Sequence, residues 1–288
     1  MKSNREIRQE ANFLYSKSSH YIASLFMMIG AITGAITGVI TVLADYLNMP
    51  LLIVLAVLLA PFEYGIIKSV LLSYDRKARE VSGKDFTFLG IKKLHKSFIP
   101  FVGRNVLIAL VQILVFGVFI VIGNASTNDL MRGLLGIFGK QIDYIYANNQ
   151  FLVTGIIVIG YFLALIIGIL LECVFSLSYY LVVDKNQGLI KSLSGSINYM
   201  KGNLWKFIKL RLSFIPHIFI CSVILGIINY FISDTIYGWF QLVNIDPFIL
   251  DILVSITYGI ISSVITVMIY SVKQELAFVV FYKEVTKE

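Results

Sequence analysis

Four ionisable side chains, Glu63, Arg104, Glu172 and His217, fall inside or at the ends of long apolar segments. A charge surrounded by hydrocarbon is expensive, so each of the four needs a reason to be there. Glu63 lies about 12 residues, roughly 18 Å of helix, into its segment, close to the midplane of a bilayer. Pro61 beside it lacks a backbone donor and frees a carbonyl, which loosens the helix at that depth. One reading gathers the four residues into a polar cavity open to the cytoplasm. Such a cavity binds an anionic or amphiphilic headgroup, with Glu63 or His217 changing protonation during a cycle. The other reading has Arg104 and Glu172, with Lys68 and Lys273, snorkelling to the inner boundary. Glu63 is too deep to snorkel cheaply, and its alternative role is that of a protonated structural hydrogen-bonder.

Other chemistries find no support. His20, His95 and His217 are the only histidines, widely separated and without metal-ligand spacing. Cys173 and Cys221 sit within apolar segments and read as small buried residues, neither a disulfide nor a ligand pair. No nucleophile elbow, P-loop or Asp-rich motif occurs, and Gly195 and Gly202 lack the spacing of a phosphate cradle. The expectation is a non-enzyme without metal or cofactor.

The elements that position these residues follow from composition. With 58% hydrophobic and 14% charged residues, the chain departs from soluble domains, where about a quarter of residues are charged. Six apolar runs approach or exceed the roughly 20 residues needed to cross a bilayer: 21–43, 51–74, 98–122, 151–183, 207–231 and 248–270. Backbone groups cannot stay unpaired in lipid, and no period-2 alternation suggests a barrel, so the predicted fold is all-α with six transmembrane helices. The first run is too long, and lacks the small-residue exit, for a cleaved signal peptide. Of the 24 lysines and arginines, all but Arg132 and Lys140 fall on one side, which places both termini in the cytoplasm and the chain in the cell membrane. The net charge of +7 is explained by basic loops facing anionic inner-leaflet lipids, with no nucleic-acid partner.

Within a single membrane domain over 1–288, Ser3-Asn4-Arg5-Glu6 opens an amphipathic segment (1–19) with Ile7, Ala11, Leu14 and Tyr15 on one face. Gly30, Gly34 and Gly38 form a smooth groove for helix packing, inside the protein or in a homodimer, flanked by Thr33 and Thr37. The basic loops 75–97 and 184–206 look like versions of one design. Leu72-Ser73-Tyr74 and Leu177-Ser178-Tyr179 precede them; Ser97-Phe98-Ile99-Pro100 and Ser213-Phe214-Ile215-Pro216 follow. This predicts a parallel pseudo-repeat of helices two–three and four–five. In the second loop Ile190, Leu193, Ile197, Met200 and Leu204 share an apolar helical face. Both loops are expected in the headgroup plane as interfacial amphipathic helices, with Lys92, Lys93, Lys96, Lys191 and Lys201 reaching lipid headgroups. The outer loop 123–150 carries the apolar residues Leu134, Leu135 and Phe138.

The stretch Asp184-Lys185-Asn186, Lys191-Ser192-Leu193, Met200-Lys201-Gly202-Asn203-Leu204-Trp205-Lys206-Phe207 and Leu212-Ser213-Phe214-Ile215 resembles an uncharacterised bacterial membrane family, domain-of-unknown-function family 975. Arg5-Glu6-Ile7-Arg8 and Ala277-Phe278 with Phe281-Tyr282 fit its ends. Pro216-His217 departs from the Gly-Trp that more often continues the family's pattern. The family is distantly similar to the membrane domain of glycerophosphodiester phosphodiesterases, which implies lipid or headgroup handling and brings no catalytic residues with it. Two functions are therefore carried forward. The first is a protein that binds or moves lipids or amphiphilic small molecules; the second is a membrane receptor, immunity or regulatory protein for a peptide or partner protein.

Overall fold

The computed structural model describes residues 1–47, 52–75, 94–125, 150–241 and 246–287, and every regular element in them is helical. The elements are α1 (Asn4–Leu47), α2 (Leu52–Tyr74), α3 (Leu94–Ala125), α4 (Gln150–Val174), α5 (Ser178–Lys185), α6 (Leu189–Met200), α7 (Leu204–Leu212), α8 (Ile215–Gln241) and α9 (Pro247–Thr266). A π-helical turn, Val267–Ser271, leads without a break into α10 (Val272–Val285). Among the described residues five stretches are long and apolar enough to cross a membrane: Ile22–Ala44, Ile99–Phe119, Gly155–Lys185, Leu204–Ile232 and Pro247–Val285. The second of the six predicted runs forms α2. Lys92, Lys93 and the outer segment 126–149 lie outside the described residues, and Lys96 falls in the first turn of α3.

Two compact units are formed, one by Met1–Gly103 with Ser176–Glu288 and the other by Arg104–Phe175. In the first, α1 begins with a reciprocal capping box. The Ser3 amide donates to Glu6 Oε2 at 2.6 Å, and the Glu6 amide donates to Ser3 Oγ at 3.3 Å. The Ser3 amide holds the Glu6 carboxyl below the usual carboxylate range. The amphipathic segment does not form a separate surface helix. It is the first four turns or so of the 44-residue α1, and its apolar face of Ile7, Ala11 and Leu14 is buried against the protein.

Helix α1 runs antiparallel to α9. A side chain at Gly34 would strike the Gly259 carbonyl, one at Gly38 the Ser255 carbonyl, and a Cβ at Gly30 would lie 3.2 Å from Ser263 Cβ. The three glycines therefore meet Ser255, Gly259 and Ser263, which share their four-residue spacing, and the two backbones come close enough to gain dispersion contacts along the whole groove. Thr33 and Thr37 donate back to the carbonyls of Gly30 (3.2 Å) and Thr33 (2.8 Å) on their own helix, as a hydroxyl one turn along can do. At the far end Tyr46 packs on Phe248, with ring centroids 4.4 Å apart.

The hub of this unit is α10. Every residue from Leu276 to Tyr282 is buried, so the helix is covered all round and not on one stripe. Phe207 from α7 packs on Phe278 and Phe281 at 5.0 and 5.1 Å. Tyr180 from α5 stacks on Tyr282 at 5.2 Å and donates to Glu275 at 3.0 Å. The Tyr282 hydroxyl donates to Asp184 Oδ2 at 2.9 Å, and Lys283 bridges Asp184 at 3.2 Å and Asp75 at 3.9 Å. The turns that wrap α5, α6 and α7 around this hub rest on two residues. Asn186 closes α5 at φ 53°, and Gly202 links α6 to α7 at φ 82°, a region open mainly to glycine and tolerated by asparagine.

On α6, Ser192, Ser196 and Met200 are the buried residues, whereas Ile190 is 84% and Ile197 47% exposed. Serines small enough for close packing face inward beside Met200, and of the predicted apolar face Ile190 and Ile197 look outward while Leu193 and Leu204 are half-buried. The two copies of Ser-Phe-Ile-Pro fold differently. Pro100 lies within α3, while Ser213 and Phe214 form a turn and Pro216 sits in the first turn of α8, where its missing donor costs nothing.

The second unit pairs the remainder of α3 with α4. A side chain at Gly160 would meet Phe119, and one at Gly168 would meet Gln112, whose amide donates to the Ala164 carbonyl at 3.5 Å. Phe116 meets Tyr161 edge-on at 6.1 Å. Leu110, Ile113, Leu114 and Val118 on α3, and Tyr161, Phe162 and Ile166 on α4, are exposed.

Candidate functional site

Residues Arg5, Arg8, Gln9 and Asn12 recur at i, i+3, i+4 and i+7, so they form a polar stripe down one face of α1. The next face along carries the buried Ile7, Ala11 and Leu14. The polar stripe thus borders the packed core, and its four side chains are exposed. Opposite it stand Phe214 from the α7–α8 turn, His217 from the first turn of α8, and Lys273 from the first turn of α10. Together with Ala11 they line a partly open cavity of about 330 Å³.

Among the described residues no carboxylate lines this cavity. The acids of the N-terminal helix are engaged elsewhere, Glu6 with the Ser3 amide and Glu10 with Lys2 Nζ at 2.7 Å. Among the described residues, Arg5, Arg8 and Lys273 form no ion pair. Two guanidinium groups and one ammonium therefore converge without a counter-charge among the described residues. Lys273 Nζ lies 5.3 Å from the centroid of the Tyr15 ring, which steadies the ammonium without neutralising it. The imidazole of His217 lies 6.2 Å from the Phe214 ring, centroid to centroid, and adds a further polar edge.

The stripe is held from both sides. Before it, Asn4 Nδ2 donates to the Lys206 carbonyl of α7 at 3.1 Å, and Lys2 Nζ bridges to Glu284 of α10 at 3.2 Å. After it, Tyr15 meets Lys273. The π turn just before α10 adds its own effect. An i→i+5 turn shifts the angular register of everything that follows, and here the second residue after it is Lys273. Cys221 Sγ of α8 contacts Thr266 Oγ1 at 3.6 Å, at the point where the π turn begins.

The four residues singled out by sequence stand on α2 (Glu63), α3 (Arg104), α4 (Glu172) and α8 (His217). His217 lines the cavity; Glu63 is not among its lining residues. Glu63 is half-buried on α2, with one carboxyl oxygen shut off from solvent, between Phe62, which packs on Leu25 and Ile29, and the buried Tyr64. Arg104 and Glu172 belong to the second unit, where the buried Arg104 guanidinium donates to the Glu172 backbone carbonyl at 3.4 Å. Lys191 and Lys201 are exposed on and just after α6. Among the described residues no group of three or more His, Cys, Asp or Glu side chains could hold a metal.

Apolar helices, a buried C-terminal hub and a cationic cavity at one end of α1 define an all-helical protein with several helices suited to a membrane. The chain belongs to the family described as "Protein of unknown function (DUF975)", whose model matches residues 1–288. No curated protein and no solved structure matches it.

Proposed function

We propose that this is a six-crossing protein of the cell membrane, with both termini in the cytoplasm, that binds or moves lipids or amphiphilic small molecules. The observation that carries this reading is the cavity lined by Arg5, Arg8, Lys273 and His217. Its donors suit an anionic group, while Phe214 and Ala11 give it an apolar wall. Asn12 precedes the apolar stretch from Ile22 by about 15 Å of helix, a spacing that suits a cavity near the inner boundary of the bilayer. The exposed apolar side chains of α3, α4 and α8 suit contact with lipid tails. Exposed Ile190, Ile197 and Trp205, flanked by Lys191, Lys201 and Lys209, suit the headgroup layer. The parallel repeat draws support from Asp75 and Asp184. They follow the two Leu-Ser-Tyr segments, and both turn toward Lys283.

The test is the lipid that travels with the protein. Purified in mild detergent, the wild type is expected to carry anionic lipid or amphiphile enriched over the membrane extract. The Arg5→Gln/Arg8→Gln double variant should lose that enrichment. Bound lipid matching the bulk membrane in both proteins would sink the reading.

A further inference from the structure

Resting on that reading, we infer that the cavity is a site for a phosphate monoester, and that its three permanent cations select a dianionic phosphoryl group over a singly charged phosphodiester. Arg5, Arg8 and Lys273 face one space with no carboxylate among its described lining residues. A phosphomonoester carries a charge of about −1.5 to −2 at neutral pH and three acceptor oxygens. It therefore neutralises most of what the cavity holds, whereas a diester leaves roughly two positive charges uncompensated. Guanidinium groups recognise phosphoryl oxygens through paired N–H donors, and the ammonium acts as a point charge beside them. Gln9 and Asn12 add amides that can donate to the remaining oxygens or meet a neighbouring hydroxyl. At about 330 Å³ the cavity is at the small end for ligand sites, the size of a headgroup and not of a whole lipid.

Two sources offer this chemistry, a phosphomonoester lipid headgroup and a soluble phosphate, and the experiment separates them. The full-length protein is titrated with neutral phosphatidylcholine vesicles containing equal fractions of phosphatidic acid or of phosphatidylglycerol, and separately with inorganic phosphate. The expected result is a preference for phosphatidic acid of roughly tenfold, about what one charge-assisted hydrogen bond contributes. Arg8→Gln and Lys273→Gln should each erase that preference, and Arg8→Lys should retain part of it. Competition by inorganic phosphate would support recognition of the phosphoryl group itself. Its failure, with the lipid preference intact, would support a headgroup seen only at a membrane surface. Binding of inorganic phosphate without a lipid preference would support a soluble ligand and count against the lipid reading. Equal binding of both anionic lipids, above the neutral vesicles, would overturn this inference and leave the proposed function standing. No binding beyond the neutral vesicles, with no phosphate binding, would overturn both. The wild-type comparison requires no variant to fold, so it decides even if the substitutions destabilise the protein.

Discussion

Replacing Gly34 by alanine should destabilise the protein, and the size of the effect can be worked from the geometry of the α1–α9 contact. In a helix, Gly→Ala ordinarily stabilises by about 1 kcal/mol through backbone entropy. At Gly34 the added methyl would collide with the carbonyl group of Gly259 and the hydroxyl of Ser263. The first of these is backbone, so no side-chain rotation relieves it and the two helices must part. Overpacking of this kind costs about 1–3 kcal/mol, and an obstruction by backbone belongs at the upper end. The net expectation is a loss of about 2 kcal/mol. Gly30 is the internal control. Its new Cβ would sit 3.2 Å from Ser263 Cβ, so a shift of a few tenths of an ångström accommodates it, and Gly30→Ala should be close to neutral. Gly117 has nothing within 4 Å, so Gly117→Ala should stabilise by up to about 1 kcal/mol. The assay is equilibrium unfolding in mixtures of a mild detergent and dodecyl sulfate, followed by helical circular dichroism. If Gly34→Ala unfolds at the same midpoint as Gly117→Ala, the close approach of α1 and α9 is wrong.

Three further outcomes are expected. Gly202→Ala should cost about 1–2 kcal/mol from backbone strain alone, since φ is 82° and its surroundings are open; Gly202→Asn should recover part of the loss in the same unfolding assay. Tyr282→Phe removes the 2.9 Å hydrogen bond to Asp184 and should cost about 1.5–3 kcal/mol, whereas no shift in midpoint would mean that Lys283 alone anchors that aspartate. The Lys2 ammonium is held above its ordinary value of 10.5, chiefly by its hydrogen bond to Glu10 and also by Glu284. Because the folded value is the higher one, its contribution is complete below about pH 10.5 and disappears as pH rises through the folded value. Lys2→Met should accordingly be least stable relative to wild type at neutral pH and converge with it in strong alkali, as read by unfolding across an alkaline pH series.

Much of the helical architecture can be read from the sequence because apolar runs of about 20 residues admit few other structures. The glycine groove shows why the reading stops short of partners. Gly30, Gly34 and Gly38 declare a smooth face, but the matching face on α9 is written Ser255-x-x-x-Gly259-x-x-x-Ser263, where serines conceal the same spacing. The hub is harder still. Leu276–Tyr282 is an apolar run of seven residues, too short to announce a crossing and with no polar side to show its orientation. Nothing in Val-Met-Ile-Tyr-Ser marks a π turn. The cavity escaped because its charged residues come from positions 5, 8 and 273 and its histidine from position 217, and each charge alone resembles an ordinary boundary charge. One signal was present. Polar residues at 5, 8, 9 and 12 repeat the spacing usually reserved for an apolar face, next to a face that is apolar. Glu63 drew attention as a charge at depth, but depth alone does not say which residues will gather around it.

The residues that carry the family resemblance explain how the cavity is built more than what it binds. Asp184 receives the Tyr282 hydroxyl and Lys283, Asn186 and Gly202 supply the left-handed turns around α6, and Phe207 packs on the buried face of α10. Each of these fixes α10, and α10 carries both Lys273 and Glu284. Glu284 in turn holds Lys2, and the Lys206 carbonyl holds Asn4, so the stripe from Arg5 to Asn12 is tied to the same hub as the lysine it faces. Arg5 and Arg8, one turn apart, repel by a few tenths of a kcal/mol, and a loosely attached helix would relieve that by fraying. Here the fraying is blocked at Lys2 and Asn4 on one side and by the buried Ile7, Ala11 and Leu14 on the other. The backbone that carries these cations is thus ordered on folding, and only their side chains remain to be fixed when an anion arrives. Among the described residues no carboxylate stands with Arg5, Arg8 and Lys273, so an anionic ligand meets three cations and no acid that competes for them.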